Sequence, residues 1–448
     1  MRFELPYPIL ITELEQLSSR ENINLFKSGK SYEADTGFSF ISLDSRECRR
    51  GDLFFCLSGK TEHKEDAERR GAFCIGGCDE LLLLANHVRN TVNPITVAIT
   101  GSAGKTTTKD YVYSVLSERY RVHKSQGNHN NQIGVPISIL SMKKDTEYLI
   151  LELGTNHPGE MEILSKCCEP NIALITNIGT SHIGNFITKE NIAREKLSII
   201  SHAKKDYTLI MNGDDRYLFS AKNRTSGKYI SVYNNSSEYK INIIEENTDS
   251  SVFELNGLRF FTAYPGIHIV YAAAMAYAVG ETAGMSYKEI KQGMLKYRQP
   301  SMRQNIYDLS GYTIMEDCYN SSYESVLCAL KILRTHKLKK AKRTVAVLGD
   351  ILELGEKSRE IHSLIGKECA LSNIDLLIAF GSFSKTIAAG AKKAGMAKES
   401  IIQLETCDHK EVADAVLSNI KYGDFILFKA SRKMKCEKIV ELIKETLT

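Results

Sequence analysis

The sequence predicts an α/β protein of three domains, with parallel strands and helices alternating around a central phosphate-binding loop. Three observations carry that expectation. A strand-like run, residues 97–100, opens into a loop with two glycines, Gly101 and Gly104, and then into a stretch with apolar Tyr111, Val112, Val115 and Leu116. Further apolar runs recur downstream, each preceded by a helical pattern, which argues for βαβ units and parallel sheets. The 448 residues are too many for one hydrophobic core, and the strand–helix pattern restarts near residue 300.

The elements follow in order. Residues 1–93 read as a small α/β unit. Residues 38–41 are strand-like, Gly51-Asp52 turns into the apolar run 53–57, and 64–70 is a charged helix ending at Gly71. Residues 81–85 are the nearest thing to a membrane segment, and they are far too short. Asn93-Pro94 breaks the chain just before the phosphate-loop strand. Residues 94–299 form the central unit, with strands expected at 148–154, 171–177 and 207–212. The β-branched and aromatic stretch 228–262 turns at Asn256-Gly257, and 267–279 is a small-residue helix. Residues 300–448 hold strands at 344–348, 375–380 and 425–428. Strand ends fall near Asn320, Gly349, Gly381 and Ser431, and ligands of open α/β sheets sit at such ends.

Composition excludes several classes. Hydrophobic content of 43% and charged content of 25% are those of a globular chain, and a net charge of +4 gives no reason to expect a nucleic-acid partner. Eleven scattered cysteines without a C-x-x-C pair indicate neither a zinc site nor a disulfide framework. With no signal segment and no membrane span, a cytoplasmic protein with small-molecule partners is expected.

The loop Gly101-Ser102-Ala103-Gly104-Lys105-Thr106-Thr107 has the parts of a nucleoside triphosphate site. Glycines let several backbone N–H groups face one anion, and the helix N-terminus adds positive potential. Lys105 can reach the outer phosphates and the Thr106 hydroxyl can ligate Mg²⁺. Glu152 sits in an otherwise apolar strand one βα unit later. That is where a Mg²⁺-binding acid is expected, although a strand-end glutamate can also face solvent. His182 follows a strand among Asn, Gly, Thr and Ser residues. Lys196 by itself reads as an ordinary helical lysine. The loop 127–136, with Asn128 and Asn131, can bind a polar ligand or serve as turn chemistry. Lys429, Ser431 and Arg432 follow a strand with dense positive charge. They can hold an anion or lie solvated at the surface.

Together these pieces resemble the Mur ligases, the ATP-dependent amide-forming enzymes of peptidoglycan synthesis. The resemblance runs along nearly the whole chain. Its most specific stretches are 127–136, Tyr319-Asn320-Ser321-Ser322, 347–355 with His362, and 429–432. It implies an N-terminal unit holding a uridine-diphosphate end, a central ATPase domain and a Rossmann-like C-terminal domain. It implies amide formation through an acyl phosphate, joining D-alanyl-D-alanine to UDP-N-acetylmuramoyl-tripeptide, in a cytoplasmic monomer.

Roles follow for single residues. Lys105 and Thr106 would hold ATP phosphates and Mg²⁺, with Glu152 and His182 as metal ligands. Lys196 would be carbamylated by CO₂ and bridge to a second Mg²⁺. Arg303 and Asp317 would reach the ATP on domain closure. Asp44-Ser45-Arg46 would contact the UDP-sugar, and Asn320 and Ser321 the amine substrate.

The chain departs from the family pattern at several places. Ile269 follows His268, and Ala272 replaces an asparagine that commonly contacts adenine. Thr61-Glu62-His63 replaces Asp-Gly-His, and the segment 71–93 is shorter than usual. Tyr323 replaces a proline and is expected to narrow the amine pocket. Two other readings stand beside the cell-wall ligase: the same chemistry on a different acceptor or amine, and a non-catalytic nucleotide-dependent switch.

Overall fold

The computed structural model describes all residues except 22–32, 34, 35, 222–226, 234, 235 and 341. It contains three sheets, met in turn along the chain. The first has four strands in the order β1-β2-β3-β4: β1 (Arg2–Leu10), β2 (Gly37–Ser42), β3 (Leu53–Phe55) and β4 (Phe73–Gly76). Only β1 runs antiparallel to its neighbour. The charged helix of the sequence reading is Thr61–Arg69, opening on the departing triplet Thr61-Glu62-His63.

The second sheet has nine strands: β5 (Ile95–Thr100), β6 (Val122–Lys124), β7 (Tyr148–Glu152), β8 (Ile172–Ile175), β9 (Thr208–Asn212), β10 (Gly227–Ser231), β11 (Tyr239–Glu246), β12 (Ser251–Leu255) and β13 (Leu258–Thr262). Their order is β13-β12-β11-β10-β9-β8-β5-β7-β6. Strands β6 to β10 join β5 in parallel register because helices carry the chain back over the sheet. The β12–β13 connection is the tight turn expected at Asn256-Gly257, with φ of 49° and 81°. The small-residue helix runs Ile267–Thr282, and alanines and Gly280 let it press on helix Lys105–Leu116.

The third sheet has six strands in the order β14-β15-β19-β16-β17-β18: β14 (Asn305–Leu309), β15 (Tyr312–Glu316), β16 (Thr344–Leu348), β17 (Leu376–Phe380), β18 (Ile401–Leu404) and β19 (Phe425–Lys429). Apart from the antiparallel β14, all are parallel. Strands β16, β17 and β19 are buried end to end, as expected of a sheet covered by helices on both faces.

The leucine run 81–85 belongs to helix Cys78–Val92, whose Leu81, Leu84, Ala85 and Val88 are buried. This helix packs on helices Gly134–Leu140 and Glu160–Cys168 beside the second sheet. Fully buried Arg89 reaches Glu169 at 2.9 Å, and Asn86 Nδ2 donates to the Lys166 carbonyl at 2.9 Å. Among the described residues no helix is long and apolar enough to cross a membrane. All eleven cysteines are free, Cys56 buried and Cys74 half-buried.

Candidate active site

The phosphate loop leaves β5, bends at Gly101 and Gly104, and enters helix Lys105–Leu116. Gly101 has φ 149° and Gly104 φ 79°; a Cβ at Gly101 would collide with the Thr176 hydroxyl. The segment after β8 braces the loop. Ala103 N donates to Asn177 Oδ1 at 3.0 Å, Thr176 Oγ1 donates to the Ala103 carbonyl at 2.6 Å, and Gly179 N donates to Ser102 Oγ at 2.8 Å. The anion cradle is therefore held by neighbouring backbone as well as by its own glycines.

Lys105 Nζ donates to the Gly101 carbonyl at 2.8 Å, so the amine lies folded over the loop. Burial pushes its pKa down, with Glu152 opposing. Thr106 Oγ1 donates to Glu152 Oε2 at 2.8 Å. Glu152 is only 4% exposed, and its other oxygen accepts from Asn130 Nδ2 at 3.0 Å. This burial settles the open alternative: Glu152 does not face solvent. A buried carboxylate beside a hydroxyl, at the mouth of a phosphate loop, is a hard-oxygen donor pair that fits Mg²⁺. Among the described residues no group of three or more His, Cys, Asp or Glu stands ready to hold a metal. The remaining ligands must come from phosphate oxygens, water or a modified side chain.

Lys196 lies on helix Lys189–Leu197 and is 4% exposed. Burial, reinforced by Lys105, pushes its pKa down to about 7, and Glu195 opposes the shift. Glu195 itself is spent on structure, accepting from Gly159 N and Met161 N at 2.8 Å each. His182 holds φ 59° at the start of a short helix, and its Nδ1 lies 2.6 Å from Glu353 Oε2. Burial lowers its pKa, against the pull of Glu353.

The third sheet meets the loop across one cavity. Arg303 Nη2 donates to Thr106 Oγ1 at 3.0 Å, and its guanidinium lies 4.1 Å from the centre of the Tyr319 ring. Lys429, 1% exposed, pairs with Asp317 at 2.6 Å and donates to the Asn320 carbonyl at 3.1 Å. Arg432 N reaches Asn320 Oδ1 at 3.4 Å. The cavity is lined by Ser102 to Thr106, Asn128, Asn131, Glu152, His182 and Lys196 from one side. Arg303, Asp317, Asn320, Ser321, Lys429 and Arg432 line it from the other.

Two smaller cavities adjoin. One, beside Gly104 and Thr107, is walled by Ile269, Ala272 and Met275, with Tyr271 donating to the Asp214 carboxylate at its edge. The other joins Thr180, Ser181 and His182 to Asn320, Ser321, residues 351–354, Ser431 and Arg432. Ser431 Oγ there accepts from Leu352 N at 2.9 Å, so it shapes the loop as well as lining the space.

Comparison with known proteins fits this geometry. Residues 99–280 match the Mur ligase middle domain, and 302–432 match the Mur ligase, glutamate ligase domain. A UDP-N-acetylmuramoyl-tripeptide–D-alanyl-D-alanine ligase of Bacillus subtilis (strain 168) is 36% identical over 356 residues, covering 79% of this chain and 76% of that protein. The chain is a member of the Mur ligase family. The protein of that name from Treponema pallidum (strain Nichols) is 28% identical over 442 residues, covering 91% of this chain and 94% of its own length. Among solved structures, MurF ligase from Thermotoga maritima in complex with ADP superposes with TM-score 0.80 at 27% identity, over 91% of this chain and 97% of that one. MurF from Acinetobacter baumannii gives 0.87 at 25%, over 99% and 100%. The three-domain α/β architecture is thus the Mur ligase fold.

Set against this Mur ligase cavity, the sequence reading gains some residues and loses one role. Asp44, Ser45 and Arg46 stand outside it, past the end of β2. Asp44 caps a short turn by accepting from Arg46 N at 3.0 Å and pairs with the exposed Arg46 guanidinium. Asn131 lines the cavity, yet its Oδ1 accepts from Gly134 N at 2.9 Å and so ties down the loop that enters helix Gly134–Leu140. Tyr323 is a correction. It does not narrow the space beside Asn320 but packs, half-buried, against the apolar core beside Glu368. Helix geometry explains this: Tyr323 opens helix Tyr323–Lys340, and its side chain leaves on the core face. The sequence reading gives no role to Asn130, Glu324 or Glu353, and names Tyr319 only within the stretch 319–322. Asn130 was legible as part of the polar loop 127–136, and Glu353 as the acid within 347–355. Nothing in the sequence marks Glu324.

Proposed function

We propose that this chain uses ATP to join D-alanyl-D-alanine to the terminal carboxyl of UDP-N-acetylmuramoyl-tripeptide, a step in making peptidoglycan precursors. The observation that carries the reading is one cavity in which Lys105, Thr106, Glu152 and Lys196 face Arg303, Asp317, Asn320 and Lys429. The chemistry follows from what a carboxylate lacks. It has no leaving group that an amine can displace. An acceptor carboxylate oxygen attacks the γ-phosphorus, the bond to the β-phosphate oxygen breaks, and ADP departs. The amine nitrogen then attacks the acyl carbon, phosphate leaves with the carbon–oxygen electron pair, and the nitrogen loses a proton.

Lys105 and Arg303 offset the charge that builds on the transferring phosphoryl group, and the loop N–H groups fix its position. Thr106 and Glu152 would hold Mg²⁺, which supplies further charge neutralisation when bound. Burial pushes the Lys196 pKa down to about 7, which gives the buried amine a neutral fraction, the form that takes up CO₂. Carbamylated, it would carry an anion to a second Mg²⁺ near His182. A ¹³C-carbamate resonance seen with labelled bicarbonate in the wild type and missing in Lys196→Ala tests this. The space beside Asn320, Ser321 and Ser431 would take the dipeptide, with Arg432 and Lys433 facing its carboxylate. The apolar recess at Ile269 and Ala272 would take the adenine. The UDP end would lie toward Asp44, Ser45 and Arg46.

The units are proposed to run 1–93, 94–299 and 300–448, the chain acting as a cytoplasmic monomer. Product mass spectrometry with the UDP-tripeptide and a panel of amines tests the substrate assignment. Product with D-alanyl-D-alanine supports it. Product only with another amine replaces it by a specialised amide ligase.

A further inference from the structure

Among the contacts that join the second and third sheets, one carboxylate bonds two partners at once. Glu324 is the second residue of helix Tyr323–Lys340. Its Oε2 accepts from Thr180 Oγ1 at 3.0 Å, and its Oε1 lies 3.1 Å from Lys189 Nζ. The carboxyl carbon lies over Gly179: a Cβ there would stand 2.6 Å from it. Gly179 has no positive φ, so the glycine is needed for space, not for backbone shape.

The three partners are not arbitrary surface. Gly179 and Thr180 belong to the segment that braces the phosphate loop through Ser102. Lys189 opens helix Lys189–Leu197, which carries Lys196. On the other side, Glu324 adjoins Ser322 and Ser325, which line the cavity and cap the helix by bonding each other. Seating this carboxylate fixes Asn320 to Ser325 against Ser102 and the helix carrying Lys196 in one contact.

We infer that Glu324 is a positioning residue that latches the third sheet onto the second, so that Arg303, Asp317 and Asn320 meet the phosphate loop only when its carboxylate is seated over Gly179. It also lines the recess beside Gly104 and Thr107, but its two carboxylate oxygens are taken up by Thr180 and Lys189. It acts through Thr180 and Lys189. The inference rests on the ATP chemistry proposed above.

The test uses the full-length protein. Glu324→Ala and Gly179→Ala should each lower kcat about tenfold. Each single charge reversal, Lys189→Glu or Glu324→Lys, should cost more than either, and the double exchange should recover at least about tenfold over the worse single variant. X-ray scattering with Mg²⁺ and ADP needs no acceptor or amine, so it reads the latch separately from the substrate assignment. Wild type should become more compact with nucleotide, and Glu324→Ala should compact less. Thermal unfolding midpoints should stay together. A double exchange no better than the worse single variant overturns the inference. So does a Glu324→Ala protein that unfolds earlier but keeps wild-type kcat per folded molecule, since the residue would then be only structural.

Discussion

In the free site Lys105 makes one hydrogen bond that a bound phosphate would replace, and its proposed role begins only when nucleotide arrives. It donates to its own loop at Gly101. Removing it leaves the loop braced by Asn177, Thr176 and Ser102. Lys105→Ala should therefore keep its unfolding midpoint while turnover falls on the order of 10²–10³-fold, as when one preorganised charge-stabilising group is lost. ADP-release kinetics beside a melting curve check this. Near-normal turnover would remove Lys105 from the ATP site. Lys105, Thr106 and Glu152 were legible because spacing alone gives them their geometry. Lys196 was anonymous because its distinguishing property is burial beside a second lysine, and that depends on chain far away. Glu324 bonds residues some 135 and 144 positions away, Lys189 and Thr180, so no local pattern carries it.

Among the elements, the loop after β16 is held by a histidine that must be neutral. His362 Nε2 accepts from Ile351 N at 2.9 Å while its Nδ1 donates to the Ser358 carbonyl at 2.6 Å, and the ring stacks on Phe383. Burial holds its pKa below the ordinary 6.5. Below that pH the unfolded chain binds more protons than the folded one. Stability is then full above about 6.5 and falls as pH drops toward the folded pKa. The wild type should lose stability across this window, and His362→Asn should lose less. Unfolding midpoints from pH 7.5 to 5 check the difference. Equal slopes would place the acid sensitivity elsewhere. Most elements were legible because apolar runs and caps are local. Strand β1 was not, because Pro6 and Pro8 argue against a strand. It exists because it is an edge strand, where a missing N–H costs little. The leucine run 81–85 gave no clue to its partner, which lies beside the second sheet.

At the scale of the molecule, the proposed chemistry requires the second and third sheets to approach closely. Gly184 N donates to the Glu353 carbonyl at 3.2 Å, and a Cβ on Gly184 would stand 2.8 Å from Gly355 N. Gly184→Val should hold the sheets apart without touching either core. Turnover should drop about tenfold while the unfolding midpoint moves by no more than about 2 °C. Unchanged turnover would mean the approach at Gly355 is not part of the working state. The order of three sheets could be anticipated from the sequence. Their mutual placement could not, because it rests on contacts between residues far apart in the chain, such as Arg89 with Glu169 and Arg303 with Thr106.

The central claim is that the phosphate loop and the third sheet form one ATP-driven ligase site. It is tested most directly by ADP release in the presence of Mg²⁺, UDP-N-acetylmuramoyl-tripeptide and D-alanyl-D-alanine, with each substrate omitted in turn. The account predicts sustained release only with both substrates, one ADP for each amide formed. Release that ignores the acceptor and the amine, or nucleotide binding with no turnover on any of them, would contradict it.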